Sequence, residues 1–198
     1  MTSAPHDPIS HIRSHISLSP ELEQSLRDQM TECHFKRGER ITAMSEIRNH
    51  AIYIKRGSAR VFYISGGKEH TYSFAFSDQF VTIAHRLLSD STGNMTIEFL
   101  ESTDVIVISH KSTREAFMNA NASMAEVYLF TLTAMLEHSH ALEERIMVLQ
   151  TSDAPGRYRW VQQKYPHLLE RATVTQVASF LGVTKETLYR IRSGKYKN

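Results

Sequence analysis

The chain has 198 residues, 41% hydrophobic and 22% charged, with a formal net charge of +2. Those proportions exclude a disordered polyelectrolyte, and no apolar run is long enough to span a membrane as a helix. The single cysteine, Cys33, excludes an intrachain disulfide and any cysteine-built zinc or iron–sulfur site within one subunit.

The small net charge conceals an asymmetry. From Thr151 onward nine Lys/Arg face only Asp153, Glu170 and Glu186, whereas the preceding chain carries 14 basic and 18 acidic residues. A basic tail on a mildly acidic body is the footprint of a nucleic-acid module attached to another domain. The opening M-T-S-A-P-H-D-P has neither the basic start nor the apolar stretch of a leader, so the expected compartment is the cytoplasm, with no membrane partner.

Ile9 to Met30 has helical spacing through Ile12, Ile16, Leu18, Leu22, Leu26 and Met30, and Ser19-Pro20-Glu21 marks a helix start inside it. After Cys33 the texture becomes β. A-I-Y-I-K-R-G-S-A-R-V-F-Y-I is two runs split at Arg56-Gly57-Ser58. Gly66-Gly67 signals a two-residue hairpin, and T-Y-S-F-A-F alternates after it. Further strands are expected at Met95–Leu100 and Asp104–Ser109, with a short helix at His85–Leu88 between. Short strands at this spacing, with glycine at the corners, imply a small β-barrel or roll over residues 1–121.

From about residue 122 to 150 the period turns helical. Tyr128, Leu132, Met135, Ser139, Leu142, Ile146 and Leu149 alternate steps of four and three, a heptad seam with one polar member. Such a helix is about 42 Å long at 1.5 Å per residue, too long for one small barrel to bury. The expected partner is a second copy of the chain. Thr151–Gly156 reads as a linker, and a helix through Tyr158 and Trp160 should stop at Tyr165-Pro166.

The last stretch, T-V-T-Q-V-A-S-F-L-G-V-T-K-E-T-L-Y-R-I-R from Thr173 to Arg192, carries the most information. Thr173 and Gln176 form a capping box, and Val177, Ala178 and Leu181 share one face. Gly182 stands where a chain leaving a helix needs a left-handed residue. Thr184 can cap a second helix with Leu188 and Ile191 inside and Lys185, Glu186, Tyr189, Arg190 and Arg192 outside. The pattern fits a helix-turn-helix whose second helix enters the DNA major groove, with residues 151–198 as the DNA-binding domain.

Taken together, A-I-Y-I-K-R-G-S-A-R-V-F-Y with G-G-K-E-H-T, and V-A-S-F-L-G-V-T-K-E-T-L-Y-R-I-R, resemble the Crp/Fnr superfamily of bacterial transcription regulators over nearly the whole chain. The resemblance implies an α+β protein: a cyclic-nucleotide-binding-like β-roll (a double-stranded β-helix), a long dimerisation helix and a C-terminal winged helix-turn-helix. It implies a homodimer on palindromic double-stranded DNA near promoters, with RNA polymerase as a further partner. By that resemblance Glu186 and Arg190 read base edges, Lys185 lies beside them, and Thr173, Thr184 and Thr187 lie near phosphates.

Two departures modify the expectation. Cyclic-AMP-binding relatives carry a Gly-Glu pair and an Arg-Ser/Thr pair around the phosphate. Here the first falls at Val81-Thr82-Ile83 and the second at Met95-Thr96, with Arg86 nearby. Methionine cannot supply the bidentate bonds that a phosphate accepts, so cyclic AMP is not expected as effector and no cofactor is assigned. Only Ser193–Asn198 follows the recognition helix, so a truncated wing is expected. The alternative function is a ligand- or partner-sensing module with a vestigial DNA-binding domain.

Other constellations carry less. His138 and His140 are about 200° apart on a helix and cannot chelate together. Glu137-x-x-His140 has a metal-helix spacing, but one copy is not a site, and no metal is assigned. Haem ligation by a single His stays open. With no phosphate loop, G-x-S-x-G elbow or H-E-x-x-H present, an enzyme is not expected. Cys33 is expected to be an apolar filler rather than a redox sensor.

Overall fold

A computed structural model describes residues 7–42, 44–45, 47, 50–81 and 95–196, with backbone alone at 110–112, 114, 124, 127, 130, 131 and 134. The stretch expected as one helical region is two short helices, α1 (Pro8–Arg13) and α2 (Pro20–Asp28). Pro20 takes the first position of α2, and the extended backbone it favours at Ser19 (ψ 148°) keeps the two helices apart. The Ser19 hydroxyl makes no cap bond; its amide instead donates to Glu126 Oε1 at 3.0 Å.

Eight strands follow among the described residues: β1 (Thr31–Phe35), β2 (Arg40–Ile41), β3 (His50–Arg56), β4 (Ser58–Ser65), β5 (Lys68–Phe76), β6 (Gln79–Val81), β7 (Met95–Phe99) and β8 (Thr103–Ser109). They form two antiparallel sheets, ordered β1-β8-β3-β6 and β2-β7-β4-β5. Ile52, Ile54, Val105 and Val107 of the first sheet meet Ala59, Val61, Ile97 and Phe99 of the second in one apolar interior. Cys33 packs against that interior, partly buried. The Gly66-Gly67 hairpin closes as expected, with Ser65 opposite Lys68. Gly57 at the β3–β4 corner is irreplaceable on two counts: its φ is +117°, and a Cβ there would lie 2.4 Å from Thr103 Oγ1.

Helix α3 (His110–Asn119) closes the base of the roll, where Ala116 joins Ile9, Ile12, Leu22 and Leu26 in a second core. Helix α4 (Met124–Thr151) has 28 residues and opens on a capping box between Ser123 and Glu126. The expected linker shrinks to Ser152 and Asp153. Asp153 accepts from the Gly156 amide at 2.8 Å, and Pro155 is tolerated in a first turn, so α5 (Ala154–Lys164) starts at once. Then come α6 (Leu168–Arg171), α7 (Val174–Leu181) and α8 (Lys185–Arg192).

A third core joins these last helices to the roll. Val161, Leu168, Val177, Ala178, Phe180, Leu181 and Leu188 pack with Phe74 of β5 and Leu100 after β7. Phe180 meets Phe74 edge-on, with ring centroids 5.1 Å apart. Burying one such phenyl ring is worth about 1.5–3 kcal/mol, against about 0–1 for an exposed ion pair, so apolar contact holds α7 on the roll. Polar bonds then set its register.

Candidate nucleic-acid interface

The helix pair α7–α8 is built as the residue pattern requires. Thr173 and Gln176 exchange both capping-box bonds, the Thr173 amide reaching Gln176 Oε1 at 2.8 Å. Gly182 takes the left-handed conformation (φ 64°) that ends α7. Thr184 accepts from the Thr187 amide at 3.1 Å and caps α8. Leu188 is fully buried, and Val183 packs at the corner.

The opposite side of α8 faces outward. Lys185, Glu186, Arg190 and Arg192 are exposed, and Tyr189 is 50% exposed. Lys185 Nζ lies 5.8 Å from the Tyr189 ring and the Arg190 guanidinium 6.0 Å from the Tyr196 ring. Among the described residues no ion pair within 4.0 Å joins Glu186 to Arg190, so neither side chain is tied down by the other. Thr173 and Thr184 cap the N-terminal ends of α7 and α8, with Thr187 in the first turn of α8, the positive ends of the two helices. No strand follows α8 among the described residues.

Two arginines that the sequence pattern did not single out fix this pair to the rest of the molecule. Arg145 on α4 donates to the Phe180 carbonyl at 2.9 Å, to the Tyr72 carbonyl at 3.3 Å, and covers the Phe180 ring at 4.6 Å. Burial presses its pKa down, yet the last carbonyls of α7 favour a cation there. Arg157 on α5 reaches the Leu181 carbonyl at 3.2 Å and the Leu149 carbonyl at 2.6 Å, capping α7 and α4 together. Their only sequence signal is a basic residue in a helix, which a solvated face shares.

The outer face of the second sheet supplies a third anchor. Arg60 is 2% exposed and pairs with Glu98 and Glu69, while Arg40 bonds Glu98 at 2.8 Å and Glu69 at 3.1 Å. Burial alone would raise the Glu69 pKa, but its bond to Arg60 and the charges of Arg60 and Arg40 bring it down overall. Gln176 of α7 donates to Glu98 Oε2 at 3.1 Å, and Ser179 Oγ accepts from the Thr71 amide at 2.9 Å.

The residues proposed from sequence to surround an effector fall on different faces. Val81 is buried in the roll interior and Met95 packs against it. Thr96 pairs with Phe62 on the outer face, away from them. Thr82, Ile83 and Arg86, and the expected His85–Leu88 helix, lie outside the described residues. Tyr72 is the extra residue of a bulge in β5, and its hydroxyl meets His138 Nε2 of α4 at 3.0 Å.

The heptad seam is only partly free. Tyr128, Leu132, Met135 and Ile146 are exposed, but Leu142 and Leu149 are half-buried against their own chain. Leu129, Leu136 and Met147, which the heptad left out, join the exposed stripe. Ser139 is exposed and bonds Glu143 at 3.0 Å. Over 28 residues a straight helix drifts from a 3.5-residue repeat, which turns Leu142 and Leu149, seven apart, toward their own chain while Ile146 stays outside.

No family model matches the sequence, and no curated protein matches it. Solved structures do. The cyclic-di-GMP-responsive global regulator CLP of Xanthomonas campestris superposes with a TM-score of 0.68 at 13% identity, covering 89% of this chain and 91% of that one. A putative Crp/Fnr-family transcriptional regulator from Eubacterium rectale gives 0.66 at 18%, over 89% and 83%. FixK2 of Bradyrhizobium japonicum gives 0.63 at 18%, over 83% of each chain. The chain therefore has the fold of the Crp/Fnr regulators. Among the described residues no helix is long and apolar enough to cross a membrane.

Proposed function

We propose that the protein is a cytoplasmic, homodimeric, sequence-specific DNA-binding transcription regulator and not an enzyme, with α7–α8 as its helix-turn-helix and α4 as its dimer helix. The observation that carries the reading is the outward face of α8. Lys185, Glu186, Tyr189, Arg190 and Arg192 project from a helix anchored on its other side by buried Leu188. Arg190 can donate two bonds to guanine O6 and N7, and Glu186 can accept from a cytosine amino group. Lys185 and Arg192 suit phosphates, as do the helix-start threonines Thr173, Thr184 and Thr187. Binding near promoters would bring RNA polymerase within reach.

The experiment is selection of bound sequences from a random pool of double-stranded DNA. A palindrome with half-sites about 34 Å apart is the expected product. Arg190→Ala should cost about 1–3 kcal/mol and relax preference at one base pair per half-site. If affinity falls equally on all sequences, α8 is a phosphate clamp and base readout by Arg190 is wrong.

The effector reading is that cyclic AMP does not gate the protein. It is supported by Val81 and Met95, which fill the apolar interior where a phosphate would need charged donors. Calorimetric titration with cyclic AMP, cyclic GMP and cyclic di-GMP tests it. A low-micromolar constant for cyclic AMP would overturn it.

A further inference from the structure

Outside the DNA face, one group of side chains has the composition of a ligand set. His11 of α1, His15 one turn on and Glu137 of α4 converge, with one ligand atom from each inside 4.8 Å of the others. His15 Nε2 lies 3.0 Å from Glu137 Oε1, and His11 Nε2 lies 3.4 Å from Glu137 Oε2. The spacing is the reason the two rings meet: residues four apart share one face of a helical turn, which the Ile16 amide continues by bonding the Ile12 carbonyl. Glu137 pairs with these histidines and not with His140, the partner its sequence spacing suggested.

The hydrogen bonds around His15 say which nitrogen carries the proton. Ser14 Oγ donates its only hydrogen to the His11 carbonyl at 2.6 Å. Its contact with His15 Nδ1 at 2.9 Å must then be donated by the ring. The His11 carbonyl, 3.1 Å from the same nitrogen, is a second acceptor. With Nδ1 protonated, the neutral ring turns a bare Nε2 lone pair on a carboxylate oxygen at 3.0 Å. A cation between two such acceptors, a proton on Nε2 or a metal ion, satisfies both. One divalent ion answers both nitrogens and the carboxylate at once.

We propose that His11, His15 and Glu137 form a site for a divalent transition-metal ion of the zinc and iron(II) class. Two imidazoles and a carboxylate are the donors such ions accept, and softer or harder ions prefer thiolates or all-oxygen cages. Ligands about 2.0–2.1 Å from a tetrahedral ion stand roughly 3.3 Å from one another, close to the separations at Glu137. The Nδ1–H bond of His15 to Ser14 and the His11 carbonyl is the outer support that metal-binding histidines use to fix ring and tautomer. The platform is firm on one side. Ile9, Ile12 and Ile16 are buried beneath it, and Arg27 holds Asp7 through two bonds at 3.1 and 2.9 Å. Three protein ligands leave a position for water or an exchangeable ligand. An ion here would clamp α1 to α4 beside Leu136 of the exposed stripe.

The test uses the full chain, freed of any affinity tag and stripped by a chelator, titrated with Zn²⁺ by calorimetry and with Co²⁺ by visible absorption. One ion per chain with a sub-micromolar constant is expected. His15→Ala and Glu137→Gln should each weaken it by about 10–100-fold or more and abolish the Co²⁺ band, whereas His167→Ala should bind as the wild type does. Both altered side chains are solvent-exposed, and circular dichroism of the two variants should match the wild type. No saturable ion in the wild type, or equal affinity in all four proteins, would show that the three side chains make only a protonated-histidine ion pair. The readout involves no DNA, so it stands or fails apart from the proposed regulator function.

Discussion

Helix α4 has two flanks with opposite chemistry. One is bonded to its own chain: Glu144 takes bonds from Trp160 at 3.0 Å and Lys164 at 2.7 Å, His138 meets Tyr72, and Arg145 grips the end of α7. The other is an apolar stripe, with Tyr128 65%, Leu132 52% and Ile146 51% exposed. The bonded flank contains directional contacts that tie α4 to the roll and to α7. The bare flank contains only surface that water disfavours, which is what association with a second copy would cover. One helix therefore carries both the contacts that hold α7 on the roll and an uncovered apolar surface.

The contrast breaks most severely at the anchor of α7. Glu98→Ala would leave the 2%-exposed Arg60 guanidinium with Glu69 as its one carboxylate partner beside the Thr71 hydroxyl, would take the Glu98 acceptor from Gln176, and would leave Arg40 with Glu69. Removing one partner of a buried pair costs about 3–5 kcal/mol. Urea unfolding measures it, and a loss under about 1 kcal/mol would mean that the cluster behaves as a surface pair. Next in size is Arg145→Met, which keeps the aliphatic contact with Phe180 but removes the bonds to the Phe180 and Tyr72 carbonyls. A loss of about 1.5–3 kcal/mol is expected. Amides of α7 should also exchange faster with deuterium; unchanged exchange there would show that the apolar core holds α7 unaided.

The bare flank should respond in the opposite way. Leu132→Asp with Ile146→Asp changes two half-exposed positions, so the stability of an isolated chain should move by no more than about 0.5 kcal/mol for each. Association should be lost. Analytical ultracentrifugation of wild type and variant separates the two effects, and a wild type already monomeric at tens of micromolar would remove the dimer from the proposal.

How much of this was legible in the sequence depends on whether a contact is local. The capping box at Thr173, the turn at Gly182, the Gly66-Gly67 hairpin and the length of α4 are all written within a few residues, and each formed as expected. Contacts that need two distant elements were not visible. Arg145 and Phe180 are 35 positions apart, and His11 and Glu137 are 126 apart. Even so, His11-x-x-x-His15 carried a local sign, two imidazoles on one helical face. The linker was misjudged because Pro155 and Gly156 read as breakers, while Asp153 made them a first turn. Within the expected seam, Leu142 and Leu149 turn toward their own chain, while Leu129, Leu136 and Met147 outside it are exposed.

The smallest expected effect tests whether the bonded flank extends to the start of α4. Glu126 accepts from the Ser123 amide at 3.0 Å and from the Ser19 amide at 3.0 Å, joining the cap of α4 to the cap of α2. The bond from the Ser123 amide, then those from Ser19, hold its carboxyl down at about 2 against an ordinary 4.5. A carboxylate depressed in the folded state stabilises fully above its unfolded pKa, and the contribution is lost as pH falls through the folded one. The window therefore runs from about pH 4.5 down to about pH 2. Glu126→Gln keeps an acceptor of the same shape, which a capping box tolerates, but removes the charge. The variant should be slightly less stable than the wild type at neutral pH, and the two should converge on acidification across that window. Thermal unfolding at several pH values gives the comparison, and the difference curve isolates Glu126 from the other carboxylates because they are common to both proteins. Parallel curves from pH 7 to pH 2 would mean that Glu126 bonds equally well in either protonation state, and that the N-terminal end of α4 is held by packing instead.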